Sequence, residues 1–313
     1  MLYSPTQLHI PDGFLSVGIA LIFWLVAIIF IGLAISKTNQ SLGEKQIPLM
    51  GVMAAFIFAA QMLNFPVAGG TSGHFLGGAL AAITLGPWAG ILVMTAVVGV
   101  QGLLFQDGGL LAMGANIFNM GILTAVIGYG LYRIGIHQKK GTRLAVAGIG
   151  AWIATMAAAL ITGLQLWLSG TTRLEIVIPA LMGVHALIGI GEALITVGAL
   201  TYIEQIRPDL LVTDKDTTTG GRGWIIAGVI ASLVAVFISP LASGNPDGLE
   251  RVAEDLGFLE TGLEAPFQIL PDYTIPFLGE TAISTILAGV VGALVVLGLL
   301  ILIGRNLGRQ KEA

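Results

Sequence analysis

The chain has 313 residues, of which 55% are hydrophobic and 10% charged, with a net charge of −4, 44 Gly and no Cys. Soluble domains carry about 25% charged residues, so an ordinary globular enzyme is excluded, as is a disordered chain of low hydrophobicity and high charge. The lack of Cys removes disulfide frameworks, thiol nucleophiles and cysteine metal sites, the charge gives no sign of nucleic acid binding, and a multi-spanning membrane protein remains.

The N-terminal stretch MLYSPTQLHIPDG is uncharged apart from Asp12. It lacks the basic start and cleavage site of a signal peptide and runs into a permanent first span at 14–36. Further apolar runs follow at 47–63, 75–86, 88–105, 109–133, 144–168, 176–203, 223–241 and 281–304. The 75–86 run is short for a hydrocarbon layer of about 30 Å. Gly86-Pro87 marks a kink or a re-entrant hairpin at its end. The runs predict an all-α polytopic membrane helix bundle of about seven core helices plus two C-terminal spans.

Basic residues favour cytoplasmic loops. Nine crossings with the C-terminus inside place 12 of the 14 Lys and Arg on the inner side, leaving only Arg173 and Arg251 outside. An N-out, C-in topology is therefore predicted. Residues 1–210 form a membrane core with short loops, 211–222 a polar cytoplasmic linker, and 223–313 a second module of two spans. The external loop of that module, about 242–280, carries 8 of the 18 acidic residues. It reads as a solvated surface or as an attractor that raises local cation concentration, with no spacing of a hard-cation cage.

Four His punctuate the chain. His9 lies just before the first span, and His74 closes the Gly-rich loop NFPVAGGTSGH after the second. Both fall on the outer side, where two imidazoles suit Ni, Co, Cu or Zn or simply cap helix ends. His137 sits in a basic inner loop and reads as solvated. His185 and Glu192 share a helix face within one span. Ionisable groups there face a partner or a cavity, so a mutual contact and a transport role both remain open. Gln61, Asn64, Gln101, Asp107, Asn116 and Asn119 read mainly as hydrogen-bonding glue between helices. No GxxxxGK[ST], GxSxG or HExxH pattern is present. Active transport by this chain would draw on an ion gradient or a partner ATPase.

HIPDGFLS at 9–16 resembles the N-terminal signature of the CbiM/NikM family, the substrate-binding membrane components of cobalt and nickel energy-coupling-factor transporters. The resemblance continues through 64–90, QGLLFQDGGLLAMGANIFNMG at 101–121 and GVHALIGIGEALIT at 183–196. NPDGLE at 245–250 is similar to the PDGLE signature of a fused small N component, commonly tied to nickel. The resemblance implies transport of Ni(II) or Co(II) across a prokaryotic cell membrane with a membrane coupling protein and cytoplasmic ABC ATPases as partners, and no cofactor.

It also implies a near-planar nitrogen site. Its donors are a terminal amine, the backbone nitrogen and imidazole of a second-position His, and the imidazole of the GTSGH motif. On this chain the imidazoles are those of His9 and His74. Planar nitrogen favours Ni(II) or Cu(II), and affinity should fall at low pH because binding displaces protons. Seven residues precede Leu8, so the amine falls on Leu8 only in a chain that starts or is trimmed at position 8. Asp12 is a further expectation as a carboxylate orienting a ligand His, with Thr71 and Ser72 as weaker neighbours of His74.

Two other readings compete. A self-sufficient secondary carrier for divalent metal would need coupled intramembrane ionisable groups, and only Glu192 and His185 approach that. A membrane enzyme would need a general base beside His9 and His74, where Asp12 is the nearest carboxylate. Neither matches the motifs as well as a transporter subunit without its own ATPase. Small residues Ala79, Ala81 and Ala82 are expected to offer an outer face to the coupling protein. The tail is expected to aid loading without supplying ligands directly, so that its deletion lowers uptake and leaves the bound geometry unchanged.

Overall fold

The structure is a computed structural model that describes residues 9–41, 46–206 and 223–309. Leu8 and the 211–222 linker lie outside the described residues. The described residues are mostly helical. The chain runs through α1 (Val17–Ser41), α2 (Gln46–Gln61), a hairpin of β1 (Phe65–Val67) and β2 (Thr71–Gly73), α3 (Gly78–Leu85) and α4 (Pro87–Val100). It continues with α5 (Met113–Asn116), α6 (Thr124–Gly135), α7 (Lys140–Leu168), α8 (Leu174–Ile206), α9 (Gly223–Ile238), α10 (Gly248–Leu256) and α11 (Ala282–Arg309). Wider π turns at Gln101–Phe105 and Ile117–Leu123 extend α4 and join α5 to α6. Such turns recur at functional sites, and these two flank the residues described below.

Among the described residues, seven helical segments are long and apolar enough to cross a membrane, and α2 is a shorter apolar helix. The third pass departs from the expectation of a helical span over 75–86. Helix α3 has only eight residues, about 12 Å at 1.5 Å per residue. The stretch 74–77 before it is non-helical. Backbone of that kind survives at membrane depth only where protein satisfies it. Here Glu192 on α8 accepts hydrogen bonds from the Leu76 and Gly77 amides at 2.6 and 3.0 Å. Gln61 donates to the Leu76 carbonyl at 2.7 Å. Glu192 is therefore engaged with backbone, and the His185 imidazole bonds to the Leu181 carbonyl at 2.8 Å. Of the two readings left open for this pair, the mutual contact is not among the hydrogen bonds these side chains make here.

Close helix packing rests on small residues, as in other membrane bundles. Gly90 of α4 lies on the Ala82 backbone and Gly128 of α6 on Ala79. Ala79, Ala81 and Ala82 are consequently buried. They cannot form the outward face expected of them, because α4 and α6 already cover it. The two C-terminal spans pack on the core: Gly292 of α11 meets Phe58 and Phe105, and Gly228 of α9 meets Val52.

The poles of the bundle differ in charge. At one, Lys140 and Arg143 both bridge to Glu204. At the other, Arg173 pairs with Glu175 and Arg251 with Asp255. The two basic residues that break the charge rule thus have carboxylates beside them. This second pole also carries His9, the β-hairpin and the acidic loop of the tail.

Candidate metal site

Residues 9–14 enter the pole as a non-helical segment and are held from several sides. Asn116 grips the Ile10 backbone at both ends, accepting from its N–H at 3.1 Å and donating to its carbonyl at 3.0 Å. Thr171 donates to the Phe14 carbonyl at 2.5 Å. The Gly109 amide donates to the Ile10 carbonyl at 2.9 Å. Gly108 adopts φ +94°, and a Cβ there would meet the His9 Cβ at 2.8 Å. A glycine is needed on both counts.

His9 is 3% exposed. Its Nδ1 lies 3.1 Å from the Asp107 carbonyl and 3.5 Å from Asp107 Oδ1. Its Nε2 is buried with no hydrogen-bond partner among the described residues. A buried ring nitrogen without a partner costs free energy, and a nitrogen-seeking cation would satisfy it. The His74 ring meets the His9 ring edge-on, with centroids 5.6 Å apart. His74 Nδ1 lies 3.2 Å from the Phe75 carbonyl. Both rings line a cavity of about 70 Å³, together with Asn119, Thr162, His185, Asp247 and Gly248.

The other expected residues divide. Asp12, expected to orient a ligand His, has its Oδ1 accepting from the Ala112 amide at 2.9 Å, tying the turn to the α4–α5 connection. The carboxylate beside His9 is that of Asp107, expected to serve as helix glue. Thr71 donates to the Ala68 carbonyl, closing the hairpin, and Ser72 donates to the Asn245 carbonyl of the tail. Asn119 does act as glue, exchanging hydrogen bonds with Gln165 at 2.8 and 3.0 Å. Leu8 lies outside the described residues. Among the described residues, no three His, Asp or Glu converge as a ready metal cage. Two imidazoles alone do not make such a cage.

The tail also reaches the site. Asp247 opens α10 and caps it, accepting from the Glu250 amide at 2.7 Å. Burial pushes its carboxyl up to about 8 from an ordinary 3.8, with the Glu250 and Asp107 charges acting in the same direction. Tyr273, fully buried, donates to Asp107 Oδ2 at 2.5 Å. No signal in the sequence ties Asp247 or Tyr273 to His9, because the contacts bridge more than a hundred positions.

Residues 9–210 match the family described as the cobalt uptake substrate-specific transmembrane region, and 222–309 match the PDGLE domain. A putative fused nickel transport protein of Archaeoglobus fulgidus is 40% identical over 93% of this chain and 96% of its own length. A cobalt transport protein of Sorangium cellulosum is 32% identical over 65% of this chain and 94% of its own. A crystal structure described as a transition metal transporter is 36% identical, with a TM-score of 0.57, over 63% of this chain and 93% of that one.

Proposed function

The chain belongs to the family of cobalt uptake substrate-specific transmembrane proteins, with a PDGLE domain following, and on that premise we propose that it captures Ni(II) or Co(II) where His9 and His74 meet. It is a multi-pass protein of the prokaryotic plasma membrane and a nickel or cobalt transport component, not an enzyme. The metal is its cargo. The ion arrives from outside, at the pole that carries the acidic loop, and leaves toward the cytoplasm. A membrane coupling protein and cytoplasmic ABC ATPases supply the work, since the sequence holds no P-loop. Nickel is favoured by nitrogen ligation and by the PDGLE tail.

One observation carries the reading: two imidazoles from distant segments line one cavity, their ring centroids 5.6 Å apart, and a ring nitrogen of His9 is unpaired among the described residues. The Leu8 amine adds a donor in a chain that begins at position 8. A chelate joining the His9 amide and its own ring closes through Nδ1, because Nε2 lies too far round the ring. Nδ1 is the atom turned to Asp107. Full use of the family donor set therefore requires the ring to turn about Cβ–Cγ, whereas binding through Nε2 does not.

Metal titration of two purified chains tests this, one starting at Met1 and one starting with Met at position 8. Tight binding of Ni(II) or Co(II) by the shorter chain alone makes the terminal amine a ligand. Equal tight binding assigns the site to the imidazoles and other donors. If neither binds, or if His9→Ala and His74→Ala bind as well as the parent, the site is elsewhere.

A further inference from the structure

A second cavity lies between the two modules, away from His9 and His74. Helix α8 packs along α7, and α9 packs along α2. The facing sides of α8 and α9 bound a cleft of about 360 Å³ that has α2 at its floor. Its α8 wall runs to Ile206, two residues past Glu204, so the cleft lies toward the pole of Lys140 and Arg143. Val52 and Met53 belong to the floor and are 7% and 5% exposed. Gly198 and Tyr202 of α8 face Trp224 and Ala231 of α9 across it. Tyr202 and Trp224 bring the only polar side-chain atoms to the lining. A bound water needs two to four polar partners, so the cleft is no water site. Glycine is disfavoured inside a helix and is explained where a neighbour presses close. Gly228 is such a case, because a Cβ there would meet Val52 at 2.2 Å. A Cβ at Gly198 would meet nothing within 4 Å. Among the described residues, no group uses the space that Gly198 leaves open.

We propose that this cleft seats one hydrocarbon chain of a phospholipid, drawn from the leaflet on the side of Lys140 and Arg143. The inference goes beyond the proposed function and takes from it only that this side is cytoplasmic. Three features select a lipid chain. The first is size. A helix with its side chains is about 10 Å across and rises 5.4 Å per turn, so one turn occupies roughly 420 Å³. A partner's helix is therefore too wide to enter, whereas a hydrocarbon chain is as slender as the side chains that line the cleft. The second is the mouth. Tyr202 is 46% exposed near the end of α8, and Trp224 is the second residue of α9. Aromatic residues take such places at the level of lipid headgroups. The third is charge. The charge rule assigns 12 of the 14 basic residues to this side, and basic residues there attract anionic headgroups. The chain then supplies packing between α8 of the core and α9 of the tail that the two helices do not give each other.

The test is photolabelling of the full chain in lipid nanodiscs. The probe is a phospholipid with a diazirine midway along one chain, and mass spectrometry maps the labelled residues. We expect label at Val52 or Met53, which bulk lipid cannot reach past the walls, beside the ordinary label on exposed Leu25 and Ile28 of α1. Gly198→Phe fills the cleft, so the floor label should be lost while the α1 label is unchanged. Gly198→Ala adds one methyl group and should keep both. Should Gly198→Phe fail to fold, Ala231→Phe fills the cleft from the α9 wall. Label on α1 with none at the floor of the parent chain would overturn the proposal. So would floor label that persists in the filled variant, since it would then arrive by another route. No metal enters this experiment, so its failure is distinct from a failure of the metal site.

Discussion

Asp247 is a charged residue type placed where charge is costly. It caps α10 and lines the cavity of His9 and His74 while only 3% exposed. Its carboxyl stands near 8 in the folded chain and near 3.8 unfolded. The folded state therefore holds the proton more tightly. Its contribution to stability is complete below about pH 4 and is lost as pH rises toward and through 8. Asp247→Asn is neutral throughout and still accepts from the Glu250 amide. The unfolding midpoint of the metal-free chain should fall between pH 5 and 8.5 more steeply for the parent than for Asp247→Asn. Parallel curves would mean that Asp247 is ionised in the metal-free chain. The residue scale is also where the sequence was hardest to read. His9 and His74 stand out as imidazoles beside spans, but the Asp107 carboxylate looks like any polar residue at a helix end. Its only signal was the Gly108-Gly109 pair that follows, which lets the N-terminal segment approach.

Helix α3 and the stretch before it show why the long elements were legible and the site-forming one was not. Apolar runs locate α1, α7, α8, α9 and α11 because each satisfies its own backbone, so composition and length suffice. The stretch 74–77 depends on Gln61 and Glu192, distant in sequence, and hydropathy carries no record of such partners. Glu192 is thus a brace for the third pass, and a role in ion coupling is not needed to explain its place in a span. Glu192→Ala would leave two buried amides without acceptors, at roughly 1–3 kcal/mol each. We expect a loss of about 2–6 kcal/mol in stability and weaker metal binding, since His74 lies two residues before Leu76. Glu192→Gln should recover only part of this, because one of its two oxygens becomes a donor. Thermal unfolding and Ni(II) titration of the variants check both. A Glu192→Ala chain that folds and binds normally yet cannot transport would return the secondary-carrier reading to first place.

Across the whole molecule, the two modules separate in sequence and merge at one pole. The Ser72 amide donates to the Pro246 carbonyl at 2.8 Å, and the Leu263 amide donates to the Asp12 carbonyl at 2.7 Å. Tyr273 reaches Asp107. The expectation that the tail aids loading without ligating gains a physical route from these contacts, one that no count of acidic residues supplies. It also makes a collective prediction. An ion that binds only the closed site opposes every local opening that breaks the site, by about 2.7 kcal/mol at a hundred times the dissociation constant. Amide exchange should then slow by up to about a hundredfold in 10–14, 72–77, 105–110, 247–250 and 273–274 together. The exposed run 266–268 of the same tail should exchange as before. Hydrogen exchange of the full chain with and without Ni(II) measures this segment by segment. Protection confined to 10–14 and 72–77 would show that the tail opens independently of the ion, and its contacts at this pole would then be packing alone.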